Sequence, residues 1–313
     1  MESKKILVTG VGGFIGNYIY NKLTEKKEQD DVVVGIDRRS PYSFENHPQG
    51  TTDHFICSCQ LDSDMWVKRL LSSYKPEIIF HFAGCATVSS PAQKIWKSNV
   101  DTTFNLLDTI SRLDYKKPPK FILASSINAA YNQSPYSASK LAAEAMVNAY
   151  TYQEYIIGMS LRFCAVAGAF NTHGAVKDII KKILTVDNPE VFGNYPGSQK
   201  PFLFIDNLVD IILDITENLN TVTCLRYPHI TIGPHDNASI ADIIEIVKKY
   251  TNKKVDVKFN GQGWKGDMQY VSTPYDNSLS RYSKYRPLQS YKAVEAAVVQ
   301  TLKEEYSEYW NSL

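Results

Sequence analysis

Tyr136 and Lys140 are the residues of this sequence whose types and spacing best fit proton-transfer chemistry. They stand four positions apart in YSASKLAAEAMVNAY, a segment with the small and apolar residues of a buried helix, so both side chains are expected on one helical face. A tyrosine hydroxyl is a poor acid or base near neutrality because its unperturbed pKa is about 10. A neighbouring ammonium favours the phenolate and lowers that pKa. The pair therefore predicts a general acid–base that protonates or deprotonates an oxygen atom.

Two polar residues that precede this helix complete the predicted catalytic set. Ser126 ends the apolar segment FILASS, and ligands of α/β sheets bind at the carboxyl ends of such strands. Its hydroxyl can hydrogen-bond the same oxygen as Tyr136 and stabilise developing charge. Asn99 lies on the preceding predicted helix and can hold a water molecule that relays the proton through Lys140. The structural alternatives are a strand-end cap for Ser126 and a hydrogen bond to a local carbonyl for Asn99.

The elements that must position these residues begin with a glycine-rich turn. The sequence KILVTGVGGFIG places Gly10, Gly13 and Gly16 between an apolar run typical of a buried parallel strand and a helix that begins at Phe14 and Ile15. Such glycines allow a tight turn, close approach of the backbone to a pyrophosphate and close packing of the helix on the strand. The helix N-terminus offers free N–H groups to phosphate oxygens. This arrangement predicts a dinucleotide site.

Asp37 indicates which dinucleotide to expect. It follows the second apolar run, VVVGI, at the position where a carboxylate accepts both hydroxyls of the adenosine ribose and repels a 2′-phosphate. We therefore expect NAD rather than NADP. Arg38 and Arg39 follow directly and can weaken that preference, and Arg38 is included among the expected cofactor contacts.

The order of the elements predicts an α/β fold with a Rossmann doubly wound parallel sheet, because strand-like and helix-like segments alternate. Gly, Asn and Pro accumulate over 168–201, where the composition changes. We therefore predict an NAD-binding Rossmann domain over 1–167, with segments that return near 202–233, and a smaller C-terminal α/β substrate lobe formed mainly by 168–313. Strands are expected near 5–9, 31–36, 54–57, 78–83, 120–124, 156–163 and 229–233. Helices are expected near 14–26, 64–73, 93–113, 136–152, 175–186, 207–217, 239–250 and 291–313.

The composition argues against several kinds of partner. The 313 residues are 43% hydrophobic and 21% charged, as in globular proteins, and the net charge of +1 gives no basis for nucleic-acid or membrane partners. No apolar run approaches the roughly 20 residues that cross a bilayer. The five cysteines favour reduced thiols, and Cys57 and Cys59 lack a second Cys/His pair for a metal site. With no signal-peptide pattern at the start, we expect a cytoplasmic protein without a bound metal.

The helix that carries Tyr136 also bears on assembly. Small or apolar residues occupy almost its whole circumference, which indicates burial on more than one side. One side must pack on the sheet. The other either meets a symmetry mate in an isologous dimer or is buried within the same chain. We expect a homodimer, and the residues leave both arrangements open.

On these motifs the chain resembles the extended short-chain dehydrogenase/reductase family, in particular its nucleotide-sugar epimerases. The resemblance covers nearly the whole length and implies a Rossmann core that holds NAD and a C-terminal lobe that binds a nucleotide sugar. In that family the tyrosine takes a proton from a sugar hydroxyl while a hydride passes to the cofactor, and the transient 4-keto sugar accepts the hydride on its other face. The motifs that carry the resemblance are TGVGGFIG, Asp37, HFAG at 81–84, Ser125-Ser126, YSASK, LRF at 161–163 and FLFID at 202–206.

The resemblance implies further contacts, and several of them depart from the family pattern. The implied cofactor contacts are Gln60, Leu61, Phe82, Ala83, Gly84, Ala124, Tyr136, Lys140 and Phe163. The implied substrate contacts are Thr87, Ser126, Ala165, Lys200 and Trp264. Ala165 replaces a usual asparagine, and Lys200 and Trp264 stand where arginines are usual. Lysine lacks the bidentate fork of arginine, so diphosphate binding is expected to be weaker or differently arranged. Trp264 either packs in the core of the lobe or stacks on the base.

The segment between the catalytic serine and tyrosine separates the possible functions. It has one residue more than is usual in the family between Ser126 and Tyr131. The stretch from Tyr131 to Tyr136 is very short, so the usual substrate-covering loop is missing. Ile127 and Asn128 follow the serine where dehydratases place an acidic residue, which argues against a 4,6-dehydratase. We expect NAD-dependent epimerisation of a nucleotide sugar through a transient 4-keto intermediate. The alternative is an NAD(P)H-dependent reductase of a nucleotide-linked 4-keto sugar. A non-catalytic dinucleotide-sensing protein comes third, because it would not need a proton-transfer tyrosine.

Overall fold

The structure is a computed structural model that describes residues 4–28, 30–39, 55–58, 60–131, 133–226, 228–263, 268–274 and 278–312. The implied substrate contact Trp264, the predicted strand residue His54 and the cysteine Cys59 lie outside these residues.

The strands are β1 (Lys5–Thr9), β2 (Val32–Asp37), β3 (Phe55–Ser58), β4 (Ile78–His81), β5 (Lys120–Ser126), β6 (Ile157–Phe163), β7 (Ala165–Ala167), β8 (Glu190–Val191), β9 (Gln199–Lys200), β10 (Phe202–Phe204), β11 (His229–Ile232), β12 (Ala238–Ser239) and β13 (Lys258–Phe259). The α-helices are α1 (Phe14–Lys26), α2 (Asp64–Tyr74), α3 (Ala92–Trp96), α4 (Thr102–Arg112), α5 (Pro135–Tyr152), α6 (Ala175–Thr185), α7 (Ile205–Asn218), α8 (Thr221–Arg226), α9 (Ile240–Thr251), α10 (Leu279–Tyr282), α11 (Ser290–Glu305) and α12 (Ser307–Asn311). A π-helical turn covers Lys97–Asp101, and a 3₁₀ helix covers Ile127–Ala130.

Seven of these strands form one sheet in the order β11-β6-β5-β4-β1-β2-β3. β1 pairs in parallel with β2 and β4, β2 pairs in parallel with β3, and β4 pairs in parallel with β5. Leu7 of β1 lies between Val34 and Ile79 in the register and is fully buried, as expected for a parallel strand covered on both faces. The predicted Rossmann doubly wound sheet is confirmed.

The core of the sheet joins strands and helices. Leu7, Ile79 and Phe121 come from three neighbouring strands and pack in one cluster with Leu107 of α4 and Val147 of α5. None of the five is more than 1% exposed, and each such side chain stabilises the fold by about 1.5–3 kcal/mol. This packing holds the carboxyl ends of β1, β4 and β5 in place, and the glycine turn, the segment 82–84 and Ser126 lie at those ends.

The prediction of one continuous helix over 93–113 is wrong in its middle. The chain forms α3, then the π-helical turn, then α4. The hydroxyls of Thr102 and Thr103 donate to the carbonyls of Ser98 and Asn99, each at 2.7 Å. Side-chain bonds of this kind compete with the regular backbone pattern, and π turns of this kind occur frequently at functional sites.

The chain divides into two compact units. The first contains Met1–Arg162, Ile212–Thr231 and Asp276–Lys284, and the second contains Phe163–Ile211, Ile232–Tyr275 and Tyr285–Leu313. The second unit has its own apolar core, to which α6, α9 and α11 contribute, and short sheets of two strands each: β7 with β10, β8 with β13, and β9 with β12. No described helix is long and apolar enough to span a membrane.

Candidate active site

The β1–α1 turn and the first turn of α1 have no room for side chains at two glycines. Gly10 has a φ of +75°, and a Cβ there would lie 2.6 Å from the Ala83 nitrogen. A Cβ on Gly16 would lie 2.3 Å from the Gly10 carbonyl oxygen. Gly13 precedes α1 without a side-chain cap, so the first N–H groups of this helix remain available to an anion. These features fit a bound dinucleotide pyrophosphate.

Asp37 closes β2 beside this turn. Its Oδ2 accepts a hydrogen bond from the Gly12 nitrogen at 3.0 Å. Its Oδ1 accepts from the backbone nitrogen of Arg39 at 3.0 Å and from the Nε of the same residue at 3.2 Å. The Arg39 guanidinium also donates to the Gly12 carbonyl, and both Arg38 and Arg39 are exposed. A carboxylate has about four acceptor sites and three are used by these bonds, so Asp37 can also accept a ribose hydroxyl.

The start of α5 presents Tyr136 at a defined position. Ser134 and Ser137 form a reciprocal capping box: the Ser134 hydroxyl accepts from the Ser137 nitrogen at 3.1 Å, and the Ser137 hydroxyl accepts from the Ser134 nitrogen at 2.8 Å. Pro135 occupies the first helical position, where its missing N–H costs nothing. Tyr136 follows in the first turn and is 7% exposed.

Ser126 has the capping role that the sequence suggests, it also lies beside Tyr136, and its predicted contact with the reacting oxygen stays a prediction. Its side chain accepts a hydrogen bond from the Asn128 nitrogen at 3.2 Å and so caps the 3₁₀ helix. It also hydrogen-bonds to Tyr136. The cap and the contact with the tyrosine therefore coexist, and the cap orients the hydroxyl at the end of β5.

Lys140 lies one turn after Tyr136 and is buried. Its Nζ lies 5.9 Å from the centre of the Tyr136 ring and donates to the Ala124 carbonyl at 2.9 Å. Burial lowers the pKa of Lys140 to about 8, and the charge of Glu144 partly opposes that change.

The pKa of Tyr136 differs from the expectation. Burial raises the pKa of this phenol, and the hydrogen bond to Ser126 reverses only part of that increase. The lowering expected from Lys140, aided by the positive nicotinamide of bound NAD, is therefore not present in the chain by itself, and it stays a prediction for the chain with NAD bound. The physical reason is that desolvation of the phenolate outweighs the available stabilisation, while the Lys140 ammonium is bonded to the Ala124 carbonyl.

Asn99 lies in the π-helical turn and anchors the segment that follows β4. Its Oδ1 accepts from the Cys85 nitrogen at 2.7 Å, and its Nδ2 donates to the Cys85 carbonyl at 3.2 Å and to the Ser139 hydroxyl at 2.9 Å. A Cβ on Gly84 would lie 2.7 Å from the Asn99 Oδ1 and 3.6 Å from the Lys140 Nζ. Asn99 thus positions Gly84 beside Lys140, and the proton relay through a water molecule stays a prediction.

His81 is a residue whose role the sequence analysis missed. Its Nδ1 lies 2.9 Å from the Thr9 hydroxyl, and its Nε2 lies 3.0 Å from the Thr103 hydroxyl. Thr103 donates to the Asn99 carbonyl, so Nε2 carries the hydrogen and Nδ1 accepts from Thr9, which itself accepts from the Ala83 nitrogen at 3.0 Å. Burial lowers the pKa of His81 to about 3, so the ring is neutral. A histidine at the end of the apolar run IIFH was the available signal.

The other predicted contacts lie in both units. In the first unit, Phe82, Ala83 and Gly84 follow β4, Ala124 lies in β5, Gln60 and Thr87 are exposed, and Leu61 is buried with its carbonyl bonded to Asn105. In the second unit, Phe163 ends β6, Ala165 begins β7 and Lys200 ends β9. Among the described residues, no group of three His, Cys, Asp or Glu side chains is placed to hold a metal ion.

Comparison with known proteins gives one family match and several distant relatives. The model of the NAD dependent epimerase/dehydratase family matches residues 6–233. An uncharacterized protein of Methanocaldococcus jannaschii is 27% identical over 292 residues, which cover 83% of this chain and 84% of that protein. A UDP-glucose 4-epimerase of Mycoplasma genitalium is 24% identical, with coverage of 78% and 81%. The crystal structure of a UDP-glucuronic acid 4-epimerase from Bacillus cereus, in complex with UDP-glucuronic acid and NAD, has a TM-score of 0.76 and 24% identity, with coverage of 96% and 100%.

Proposed function

Because this chain belongs to the NAD-dependent epimerase/dehydratase family and its cofactor is NAD, we propose that it epimerises a nucleotide-linked hexose or amino sugar through a transient 4-keto intermediate. The observation that carries the proposal is the set of Ser126, Tyr136 and Lys140 at the carboxyl end of β5, in which Tyr136 and Lys140 are buried and Ser126 is half-buried. The named relatives supply the substrate class, since they include UDP-glucose and UDP-glucuronic acid 4-epimerases.

Each residue of the set has a separate task in this proposal. The Tyr136 hydroxyl removes the proton from the sugar hydroxyl and later returns it. Ser126, which already hydrogen-bonds to Tyr136, donates to the same sugar oxygen and stabilises its developing charge. Lys140 places positive charge beside the phenol and favours its ionised form against the effect of burial. NAD supplies, when bound, the nicotinamide that accepts a hydride from the sugar carbon and gives it back.

We assign NAD to the first unit and the sugar nucleotide mainly to the second. The cofactor would contact the glycine turn, Asp37 and the segment 82–84. The substrate contacts that we propose are Thr87, Ser126, Ala165, Lys200 and Trp264. Lys200 offers one point charge to a diphosphate, since it has no planar fork.

A ketosugar reductase is the second candidate, and one observation favours it. Arg39 folds back on Asp37, with its Nε 3.2 Å from the carboxylate, and so places a cation beside the acid that is expected to repel a 2′-phosphate. A reductase would use the same Tyr136 as a proton donor and would consume NADH or NADPH.

The test separates the two reactions. The purified protein is incubated with UDP- and dTDP-linked sugars without added cofactor, and the products are separated by chromatography. An epimer formed under these conditions supports the proposal. Consumption of a 4-keto sugar only when NADH or NADPH is added would instead establish the reductase.

A variant of the tyrosine tests its role in turnover. Tyr136→Phe removes the hydroxyl, and turnover should fall by about 10²–10⁴-fold, the typical contribution of a general acid–base. NAD affinity, measured by calorimetry, should stay within a few-fold of the parent chain. A dinucleotide sensor would have no turnover to lose.

We further propose that the chain forms a homodimer through α4 and α5. These helices pack against each other and leave the apolar residues Phe104 and Leu141 exposed. The exposed positions 141, 145, 148 and 152 of α5 follow helical spacing along one face and carry no charge. A second copy that presents the same face would cover this surface.

A further inference from the structure

Three consecutive residues at the end of β5 pair with three successive turns of α5. The spacing of the helical partners is four residues, so they share one face of α5. The Lys140 Nζ lies 2.9 Å from the Ala124 carbonyl oxygen, and the Ser125 Oγ lies 2.5 Å from the Glu144 Oε1. The pairs are Ser126 with Tyr136, Ala124 with Lys140, and Ser125 with Glu144.

A buried ion pair holds the last of these contacts. Arg162 of β6 donates from its Nε to the Glu144 Oε1 at 2.8 Å and from its Nη2 to the Oε2 at 2.6 Å. The side chains are 11% and 7% exposed. A bidentate pair fixes orientation as well as distance, and it ties α5 to the strand next to β5 in the sheet. Glu144 is therefore held from two strands at once.

We propose that Glu144 is a positioning residue for the reaction: it holds α5 in register against β5 and presents a negative charge on the helical face that carries the Lys140 amine. Its part in turnover rests on the proposed function. Its part in the geometry rests on the hydrogen bonds of Ser125 and Arg162.

The charged and titratable groups around the Lys140 amine come from several elements. α5 contributes Glu144 and Tyr136, β4 contributes the neutral His81, and the segment after β4 contributes Cys85. Arg162 of β6 faces the Glu144 carboxylate. Burial has the largest effect on the pKa of Lys140 and lowers it. Among the groups that raise this pKa, Glu144 has the largest effect. Loss of this carboxylate should therefore deprotonate Lys140 at a lower pH.

Two substitutions that break the same ion pair should have opposite electrostatic effects. Glu144→Gln removes the attractive charge and leaves the Arg162 guanidinium nearby, so the titration midpoint of Lys140 should fall by about one pH unit. Arg162→Gln leaves the carboxylate unpaired, so the same midpoint should rise. If the role of Glu144 were purely structural, the Lys140 midpoint would shift in the same direction in both variants or would not shift.

The midpoint is measured by NMR on protein labelled with ¹³C at the lysine side chains, and the Lys140 signal is assigned from its loss in Lys140→Arg. Opposite shifts in the two variants support the proposal, and equal or absent shifts overturn it. If Glu144→Gln does not fold, Glu144→Gln/Arg162→Gln removes both buried charges together. Its midpoint should still lie below that of the parent chain, and an unchanged midpoint overturns the proposal.

Turnover provides the second measurement. In an active parent enzyme, the alkaline limb of the pH–rate profile should move to lower pH in Glu144→Gln and to higher pH in Arg162→Gln. Limbs that stay in place overturn the role in catalysis. A parent chain that epimerises no sugar overturns the proposed function, whereas the NMR titration still decides whether Glu144 sets the charge of Lys140.

Discussion

Burial acts in opposite directions on the two residues that carry the proposed proton transfer. It disfavours the charged form of each group, so it raises the pKa of Tyr136 and lowers that of Lys140 to about 8. Near neutral pH the chain by itself therefore keeps the phenol protonated and most of the lysine charged. In this state Tyr136 is ready to donate a proton, and its action as a base requires additional positive charge beside it.

Asp37 should control the choice between NAD and NADP. Asp37→Ala removes the carboxylate that is expected to repel a 2′-phosphate, and it removes the anion that pairs with Arg39. The ratio of NAD to NADP affinity should fall by about 10- to 100-fold, since hydrogen bonds to charged groups contribute about 1.5–3 kcal/mol. Calorimetric titration with both dinucleotides measures it. The exposed Asp187→Ala serves as the control, and an equal ratio in both variants would show that Asp37 does not discriminate.

His81 should make the stability of the protein depend on pH. Its pKa is about 3 when folded, against about 6.5 in an unfolded chain, so the unfolded state alone binds a proton between these values. The contribution of neutral His81 to the free energy of unfolding is present above pH 6.5 and is lost as the pH falls towards 3. Between pH 7 and 5 the parent chain should lose about 2 kcal/mol more than His81→Gln.

Urea unfolding of both proteins at pH 7, 6 and 5 measures this difference. His173→Gln alters an exposed histidine and should keep the pH dependence of the parent. Parallel curves for the parent and His81→Gln would contradict a neutral buried imidazole.

At the scale of elements, the β1–α1 turn depends on glycine for two separate reasons. Gly10→Ala would strain a residue with a φ of +75° and push a methyl group against the Ala83 backbone. We expect a loss of about 1–3 kcal/mol in the free energy of unfolding and weaker NAD binding, because the turn must shift. Gly263→Ala is the matched control, since nothing lies within 4 Å of its added Cβ. Urea unfolding and NAD titration are carried out on both variants. If Gly10→Ala binds NAD as tightly as the parent chain, the turn does not bind the dinucleotide as expected.

Local sequence predicts the limits of some helices, whereas contacts with distant residues determine the structure of others. The limits of α1 agree with the prediction from local pattern, whereas the predicted helix over 93–113 is interrupted by the π-helical turn. Asn99 in that turn bonds to Cys85 and to Ser139, which are 14 and 40 residues away along the chain. A periodicity of apolar residues contains no information about such partners.

At the scale of the whole molecule, the exposed face of α4 and α5 should decide the oligomeric state. Light scattering after size exclusion should give about twice the chain mass of 35.4 kDa for the parent protein. Leu141→Glu places charge in the proposed interface and should give a monomer. Val186→Glu changes an exposed apolar residue of the second unit and should remain dimeric. The same mass for the parent and Leu141→Glu would contradict this interface.

Local chemistry accounts for the features that could be predicted from residue order. The glycine turn, the limits of α1 and α5, and the four-residue spacing of Tyr136 and Lys140 depend on backbone geometry over a few residues. The alternation of strands and helices allowed the parallel sheet to be predicted, because parallel pairing needs crossover connections.

Contacts between distant segments account for the features that needed the folded chain. The hydrogen bonds of His81 join residues 72 and 22 positions away, and Arg162 meets Glu144 across 18 positions. The direction of the Tyr136 pKa also depends on the folded chain, because burial depends on every element that surrounds the phenol. Spacing along the chain thus brought the reactive groups onto one helical face, while desolvation and long-range hydrogen bonds set their charges and their orientation.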